Sequence, residues 1–213
     1  TIALGNWQLG RAHEKATLAE RIATARHDAP VGLSASPVNA DDLVWRRVAV
    51  QGVFEPRYAV LIDNRIVRGV VGYNVVMPLK IEGGEGYVLV NRGWVAGTGT
   101  RGVLPQVATP GKAVHITGMA TVPSRRYLEL STQTIEGNVW QNLTFERYRA
   151  AFPIALQPIV IQQESELDDG LVREWSPPDL GIDKHYAYAF QWFVMAAAIL
   201  AIYLTLNVKR TGR

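Results

Sequence analysis

The stretch HYAYAFQWFVMAAAILAIYLTLNV, residues 185–208, decides the architecture of this 213-residue chain. From Tyr186 to Val208 it contains no Asp, Glu, Lys or Arg, and it is longer than the roughly 18 apolar residues that mark a membrane-spanning helix. At about 1.5 Å per residue such a helix crosses a hydrocarbon layer of about 30 Å. The alternative, a buried helix of a soluble protein, is disfavoured by this length and lack of charge.

The residues that flank the apolar stretch indicate its direction. Aromatic side chains near its two ends are typical of the membrane–water interfaces: Tyr186, Tyr188, Trp192 and Tyr203. Three basic residues follow it, namely Lys209, Arg210 and Arg213. Because basic flanks tend to stay cytoplasmic, we expect 209–213 to be a cytoplasmic tail. The main domain is then periplasmic, on a bacterial inner membrane, or faces the intermembrane space if the membrane is mitochondrial.

The first residues also suggest a membrane boundary. Residues 1–9 are apolar up to Trp7, an aromatic residue typical of an interface, and no basic n-region or cleavage site is visible. We interpret them as the end of a first transmembrane helix, truncated in this chain. An ordinary mature N-terminus is the alternative. This division leaves 10–184 as an extracytoplasmic domain and 185–208 as the second span.

The pattern between the spans predicts an α+β domain. A three-to-four spacing of apolar residues predicts a helix from Gln8 to about His27, and Thr144 is a plausible N-cap for a short helix ending near Phe152. Residues 30–42 read as a loop, and Gly83 to Gly86 as a hairpin turn. Short β-branched runs predict strands at 44–54, 58–64, 72–81, 87–95, 113–122 and 158–162. Since no long helices separate them, a mainly antiparallel β sheet or small barrel is expected.

Composition excludes several classes of function. The chain has no cysteine, which excludes disulfides, thiolate metal sites and cysteine nucleophiles. Its 22 basic and 19 acidic residues form no basic stripe, so no nucleic-acid partner is expected. Gly97 to Gly102 fits G-x-G-x-x-G, but Pro105 forbids the helix that a dinucleotide site requires after that loop. Asp168-Asp169 reads as solvated loop surface, and no catalytic constellation is visible.

His185 is the residue that carries a chemical hypothesis. It stands at the start of the span, where a neutral imidazole could bind haem iron with Phe190, Trp192 and Phe193 packing nearby. The alternative is an interfacial histidine hydrogen-bonded to headgroups or carbonyls. Arg92 could pair with a propionate or a lipid phosphate, whereas Trp94, like the other tryptophans, could simply pack.

Five short blocks of sequence together carry a family resemblance. They are Leu4-Gly5-x-Trp7-Gln8-Leu9-x-Arg11 with Lys15, Arg47-Val48 with Gly52 and Phe54, Gly72-Tyr73 through Pro78-Leu79, Val90-Asn91-Arg92-Gly93-Trp94-Val95, and His185-Tyr-Ala-Tyr188-Ala189-Phe-Gln-Trp192-Phe193. In this order, and over nearly the whole chain, they resemble the surfeit locus protein 1 family of cytochrome c oxidase assembly factors.

The resemblance implies a two-span membrane protein without enzymatic activity. It implies that the protein helps to build the core of a haem-copper oxidase, with subunit I and its neighbouring subunits as partners and haem A synthase as a further partner. It also implies haem a as a transient cofactor, with His185 as the axial ligand of the haem iron. Trp192, Arg92 and Trp94 lie in the matching blocks and are carried over as candidate cofactor contacts.

Three functional hypotheses remain at this point. The first is a haem chaperone that hands haem a to oxidase subunit I. The second is a cofactor-free scaffold or accessory subunit bound to the oxidase complex, for which His185 is merely interfacial. The third, a membrane-bound dehydrogenase using the glycine loop, is opposed by Pro105.

Overall fold

A computed structural model of the chain describes residues 1–99, 103–123 and 135–208. These residues fall into two compact units. One unit consists of residues 1–24 and 176–208 and is helical, and the other consists of residues 25–175 and contains the β-structure. We call them the helix unit and the barrel unit.

Two long helices make up the helix unit. Helix α1 spans Ile2–Ala25 and helix α4 spans Ile182–Asn207. They pack through small residues: a side chain on Gly5 would lie only 2.6 Å from the Phe193 ring, and Ala12 and Ala189 are fully buried. Helix α1 therefore begins before the predicted start at Gln8 and joins residues 1–9 to the helix that follows.

Helix α4 is the one helix of the described residues that is long and apolar enough to cross a membrane. Only 6% of its most apolar window is buried, so the helix is not the covered core helix of a soluble domain. This agrees with the span predicted at residues 185–208. The assignment of residues 1–9 to the end of a first span, and of 209–213 to a tail, stays a prediction; residues 209–213 lie outside the described residues.

The barrel unit contains nine strands, two short α-helices and one turn of 3₁₀ helix, Pro56–Tyr58, within the described ranges. The strands are β1 (Val31–Gly32), β2 (Arg47–Phe54), β3 (Val60–Val67), β4 (Val70–Ile81), β5 (Tyr87–Ala96), β6 (Val114–Thr121), β7 (Ile135–Glu136), β8 (Val139–Trp140) and β9 (Leu156–Gln163). The helices are α2 (Ala40–Leu43) and α3 (Phe145–Ala151).

Five of these strands close into a barrel. The sheet order runs β2-β6-β9-β5-β4, and β4 returns to pair with β2, with Gly52 opposite Ile81 and Phe54 opposite Leu79. All five pairs are antiparallel except β5 with β9. Strand β3 extends the sheet beyond β4. The α+β fold with a small, mainly antiparallel barrel is confirmed.

The apolar side chains of the barrel unit form two main cores and a small third cluster of Leu61, Val75 and Leu171. The larger core fills the barrel interior and draws on all five barrel strands, for example Val50, Leu79 and Ile161. The smaller core lies on the outer face of the sheet, where Trp140 and Tyr148 pack on residues of β3, β4, β5 and β9. Helix α3, capped by Thr144 as predicted, covers this face.

Close contact between strands explains why glycines interrupt two of them. A Cβ on Gly52 would lie 2.1 Å from the Lys80 carbonyl oxygen, and one on Gly118 would lie 2.0 Å from that of Gln162. Both distances are far below van der Waals contact, so a side chain at either site requires the backbone to move.

The six predicted strands all form, with ends that differ by up to three residues from the predicted ends. The predicted loop at 30–42 is partly wrong, because β1 and α2 form there; Asn39 caps α2 by accepting a hydrogen bond from Asp41 N. Residues 103–113 contain no helix, as Pro105 requires. The rest of the glycine motif, residues 100–102, lies outside the described residues.

Candidate functional site

The start of α4 places His185 on the turn that faces α1. The helix begins at Ile182, after Gly181, whose N–H donates to Asp179 Oδ1 at 2.8 Å. His185 is half-buried. Its imidazole thus lies at the junction of the two helices, at the polar end of the apolar segment.

A hydrogen bond to α1 fixes the chemical form of this imidazole. His185 Nδ1 lies 2.6 Å from Gln8 Oε1. Because an amide oxygen only accepts hydrogen bonds, Nδ1 must carry the proton. The neutral ring then has its unprotonated lone pair at Nε2, which is the form of histidine that binds a metal.

Positive charge surrounds the same imidazole. Lys15 and Arg11 of α1 both interact with His185 electrostatically, and Lys184 precedes it in the chain. The Lys15 ammonium lies close to Gly181, 3.9 Å from the position of a Cβ on that glycine. Arg11 also donates to Glu14 at 2.6 Å, with both side chains exposed. Because Glu14 offsets the charge of Arg11, Lys15 contributes the main positive charge of α1 beside the ring.

Aromatic side chains of α4 lie within two turns of His185. Tyr186 makes an edge contact with the His13 ring, at 6.5 Å between centroids. Phe190 is 69% exposed, Trp192 is half-buried, and Phe193 packs on Gly5. On α1, Trp7 is 57% exposed. The exposed rings leave apolar surface available at the helix faces.

Arg92 lies in the barrel unit and is fully buried. It occupies a bulge of β5, where the register with β4 shifts between Val75 and Val76. Its guanidinium lies over the Phe54 ring, 4.7 Å from the centroid, and donates to Thr109 Oγ1, to the Ala108 carbonyl and to Asp169 Oδ2, each at 2.8 Å.

Asp169 joins this arginine to a second one. Arg173 donates to the same Oδ2 at 2.6 Å, and the Asp169 side chain is only 1% exposed. The expectation that Asp168-Asp169 is solvated loop surface is thus wrong for Asp169. Burial lowers the pKa of Arg92, and the hydrogen bond and charge of Asp169 oppose that shift. This cluster ties the segments around residues 108 and 169 to the barrel.

Trp94 packs within the barrel unit as well. It is 9% exposed, and its indole Nε1 donates to the Arg65 carbonyl at 2.9 Å. The described polar contacts of Arg92 and Trp94 are all made inside the barrel unit. His185 and Trp192 lie seven residues apart on α4, and a cofactor contact for Trp192, Arg92 or Trp94 stays a prediction.

Comparison with known proteins decides the family. The model of the SURF1 family matches residues 1–197. The chain belongs to the SURF1 family. It is 27% identical to a SURF1-like protein of Rickettsia prowazekii over 95% of this chain and 83% of the relative. A SURF1-like protein of Rickettsia felis is 28% identical, with 95% and 90% covered, and one of Monosiga brevicollis is 23% identical, with 100% and 85% covered.

The match confirms the resemblance that the five sequence blocks carried. SURF1 proteins are generally known as oxidase assembly factors. The structure adds two residues that sequence reasoning did not assign to a role. Gln8 lies within the first block of the SURF1 resemblance but is 177 positions from His185, and Asp169 was read as surface. Only the membership of Gln8 in that block could have drawn attention to it.

Proposed function

We propose that this SURF1 chain is a non-enzymatic carrier that holds haem a and hands it to subunit I of a haem-copper oxidase during assembly. His185 is the axial ligand of the haem iron. The barrel lies on the periplasmic side of a bacterial inner membrane, or on the corresponding outer side of a mitochondrial inner membrane. The adjoining oxidase subunits and haem A synthase are the partners that such a hand-over requires.

The observation that carries this proposal is the hydrogen bond between Gln8 and His185. Histidines that bind metals almost always donate their other ring N–H to an oxygen, which fixes the tautomer and makes the ligating nitrogen more basic. The 2.6 Å contact from Nδ1 to Gln8 Oε1 is of this kind.

The surroundings of His185 also suit a haem. A haem carries anionic propionates on an apolar ring, and Lys15, Arg11 and Lys184 supply positive charge at the polar end of the site. Phe190 and Trp192 supply apolar rings one to two turns along α4. Haem a in the oxidase supplies redox chemistry, whereas the residues described here bind, orient and release it.

A single protein ligand agrees with a carrier function. Among the described residues, no cluster of three or more His, Cys, Asp or Glu is able to hold a metal ion. One imidazole with a free opposite face gives modest affinity, and modest affinity permits transfer to the oxidase. In this proposal Arg92 and Trp94 support the barrel through their hydrogen bonds to Asp169 and to the Arg65 carbonyl.

The test is spectroscopic. The full-length chain is expressed in cells that make haem A, purified in detergent, and examined by its reduced-minus-oxidised spectrum. We expect a haem band that His185→Ala abolishes. Gln8→Leu keeps the iron ligand but removes the acceptor for Nδ1–H, and we expect it to lower haem affinity by about 10–100-fold.

His115→Ala is the matched control. His115 is an exposed histidine of β6 in the barrel unit, and we expect this variant to bind haem as the native chain does. Stoichiometric haem in a folded His185→Ala protein would refute the ligand assignment. No haem in the native protein would refute the carrier function and leave the cofactor-free scaffold, bound to the oxidase complex, as the function to pursue.

A further inference from the structure

Exposed apolar side chains of the barrel unit gather at one end of its sheet. Among the described residues of this unit, seven large hydrophobic side chains are exposed, and five of them lie at this end. We call these five the apolar tip, and each is 40–64% exposed: Ile66, Val70, Val71, Val103 and Leu104. The apolar cores of the barrel unit do not include them. Grouped apolar residues that face water are typical of a surface that contacts a protein or a membrane.

The hairpin between β3 and β4 carries three members of the apolar tip. Ile66 pairs with Val71, and Val67 pairs with Val70. This register leaves a two-residue turn that begins at Arg68 and has positive φ at both positions, as the tightest hairpin turns require. Paired residues share a face of the hairpin, and successive pairs point to opposite faces. The hairpin therefore presents apolar side chains on both of its faces.

The loop that follows β5 carries the other two members. The Gly97 N–H donates to the Val71 carbonyl at 3.1 Å, which places the start of this loop beside the hairpin. The next residue, Thr98, donates from its hydroxyl to the Val103 carbonyl at 2.8 Å, and Leu104 follows in the chain. These hydrogen bonds bring apolar residues of two separate segments to the same end of the sheet.

An ion pair joins the hairpin to the last residues of the barrel unit. Arg68 of the turn donates to Glu174. Two backbone hydrogen bonds between Trp94 and Val172, at 2.8 and 2.9 Å, hold the same segment on the sheet. Glu174 lies eight positions before Ile182, where α4 begins, and eight residues span at most about 26–29 Å. The hairpin is thus attached through a short connection to the helix that is apolar enough to cross a membrane.

We propose that the apolar tip inserts into the lipid headgroup layer of the membrane that α4 crosses. Insertion removes its aliphatic side chains from water, which is favourable. A lipid layer surrounds an inserted hairpin and so covers both of its apolar faces. The pairing of Arg68 with Glu174 leaves the turn without an unpaired charge, which would oppose insertion. The barrel unit is then held at the bilayer in two ways, by the connection to α4 and by the apolar tip.

The same lipid contact is independent of haem binding, but it requires α4 to cross the membrane. Elements that lie in the interface bury their apolar residues about 5–10 Å into the boundary between headgroups and acyl chains. A two-residue turn flanked by Val67 and Val70 is narrow enough to enter that layer while the rest of the barrel unit stays in water. The contact is therefore restricted to the end of the hairpin and the loop beside it.

The test places a single fluorescent label on the full-length chain. Because the chain has no cysteine, Val70→Cys labelled with nitrobenzoxadiazole carries its label in the apolar tip alone. The protein is reconstituted into nanodiscs of equal parts phosphatidylcholine and phosphatidylglycerol. A second preparation includes lipids that carry a nitroxide on the headgroup, which quenches nearby fluorophores. We expect the nitroxide lipid to lower the fluorescence of the Val70 label several-fold.

Val53→Cys is the matched control. Val53 is an exposed valine of the same unit and lies opposite Lys80. Lys80 is ten positions along β4 from Val70, a separation of up to about 33 Å at roughly 3.3 Å per residue. A label at Val53 should keep its fluorescence when the nitroxide lipid is present.

A charged substitution tests whether the contact depends on apolar side chains. Val71→Asp places a carboxylate opposite Ile66, and the label is read at Ile66→Cys. We expect quenching of this label to fall several-fold, because a charge is costly in lipid, whereas Val53→Asp should leave it unchanged. Circular dichroism reports whether each variant is folded. If Val71→Asp is not, the comparison of the Val70 and Val53 labels decides.

Three results would overturn the proposal: no quenching of the Val70 label in the folded protein, equal quenching of the Val70 and Val53 labels, or unchanged quenching at Ile66 in folded Val71→Asp. The first result would leave a protein partner as the occupant of the apolar tip. Because the readout is lipid contact, a chain that binds no haem can still show quenching at Val70, and a chain that binds haem can fail to show it.

Discussion

Replacing Asp169 with Asn should unfold the barrel unit at a markedly lower temperature. Asp169 Oδ2 accepts from Arg92 at 2.8 Å and from Arg173 at 2.6 Å, and the side chains of Asp169 and Arg92 are 1% and 0% exposed. The substitution removes the one negative charge of the cluster and presents an amide to two donors. Both guanidinium groups stay charged, because arginine does not lose its proton in proteins.

The size of the effect follows from burial. Removing one partner from a buried ion pair typically destabilises a protein by about 3–5 kcal/mol, since the other charge remains buried without compensation. For 150–250 residues, 1 kcal/mol corresponds to about 2–4 °C in Tm. We therefore expect Tm to fall by roughly 6–20 °C. An ion pair on the surface would contribute only about 0–1 kcal/mol to stability, so the larger expected loss depends on the burial of Asp169.

The change in Tm is measured by thermal unfolding followed by tryptophan fluorescence. Thiol-reactive dyes are unsuitable, because the chain has no cysteine. Asp168→Asn is the matched control, since it makes the same charge change at an exposed neighbour and should alter stability by less than about 0.5 kcal/mol. Equal Tm values for the two variants would refute the view that the Arg92–Asp169–Arg173 cluster holds the barrel together.

Three further variants test the packing of the barrel unit. Burial raises the pKa of the Tyr148 phenol above its ordinary 10.0, so the stability that its neutral form contributes is complete below pH 10 and declines as the pH rises towards the raised pKa. Tyr148→Phe removes the hydrogen bond to the Tyr58 carbonyl, and we expect the free energy of unfolding to fall by about 1–2 kcal/mol. In denaturant titrations the variant should also lack the decline in stability at alkaline pH. Gly118→Ala should lower the free energy of unfolding by about 1–3 kcal/mol or more. Gly111→Ala is the control, because open space surrounds that glycine, and its free energy of unfolding should stay within about 0.5 kcal/mol of the native value. Equal values for the two variants would contradict the close contact between the strands. Thr144→Ala should remove the cap of α3 and about 1 kcal/mol, and an unchanged urea midpoint would show that the cap contributes nothing.

Local sequence patterns predicted the strands because each depends on its own residues. The β-branched runs and the glycines at 83–86 were sufficient to place β4, β5 and the hairpin between them. Closure of the barrel was not predictable in this way. It depends on Gly52 meeting Ile81 and on the parallel pairing of β5 with β9, and both contacts join positions distant in the chain.

The candidate site shows the same division between local and distant signals. His185 was identifiable because it marks the polar start of an apolar run. Its hydrogen-bond partner Gln8 was not identifiable, because Gln8 lies near the other end of the chain and meets His185 only in the folded protein. Asp169 was misread for a related reason: an acidic residue in a polar loop normally faces water, and only the fold shows that two arginines surround it.

The hydrogen bond that Gln8 accepts from His185 gives α1 a chemical role in addition to its packing role. A histidine without a partner exchanges between two tautomers, and only the one with its proton on Nδ1 presents Nε2 to a metal. In the carrier that we propose, the ligating form of His185 is therefore stabilised only after the first and last helices of the chain have paired. On that proposal, a chain whose two helices have not paired would bind haem more weakly. Such a dependence of ligand chemistry on helix pairing is what a hand-over factor needs, because haem should be taken up only by a molecule that is ready to release it to the oxidase.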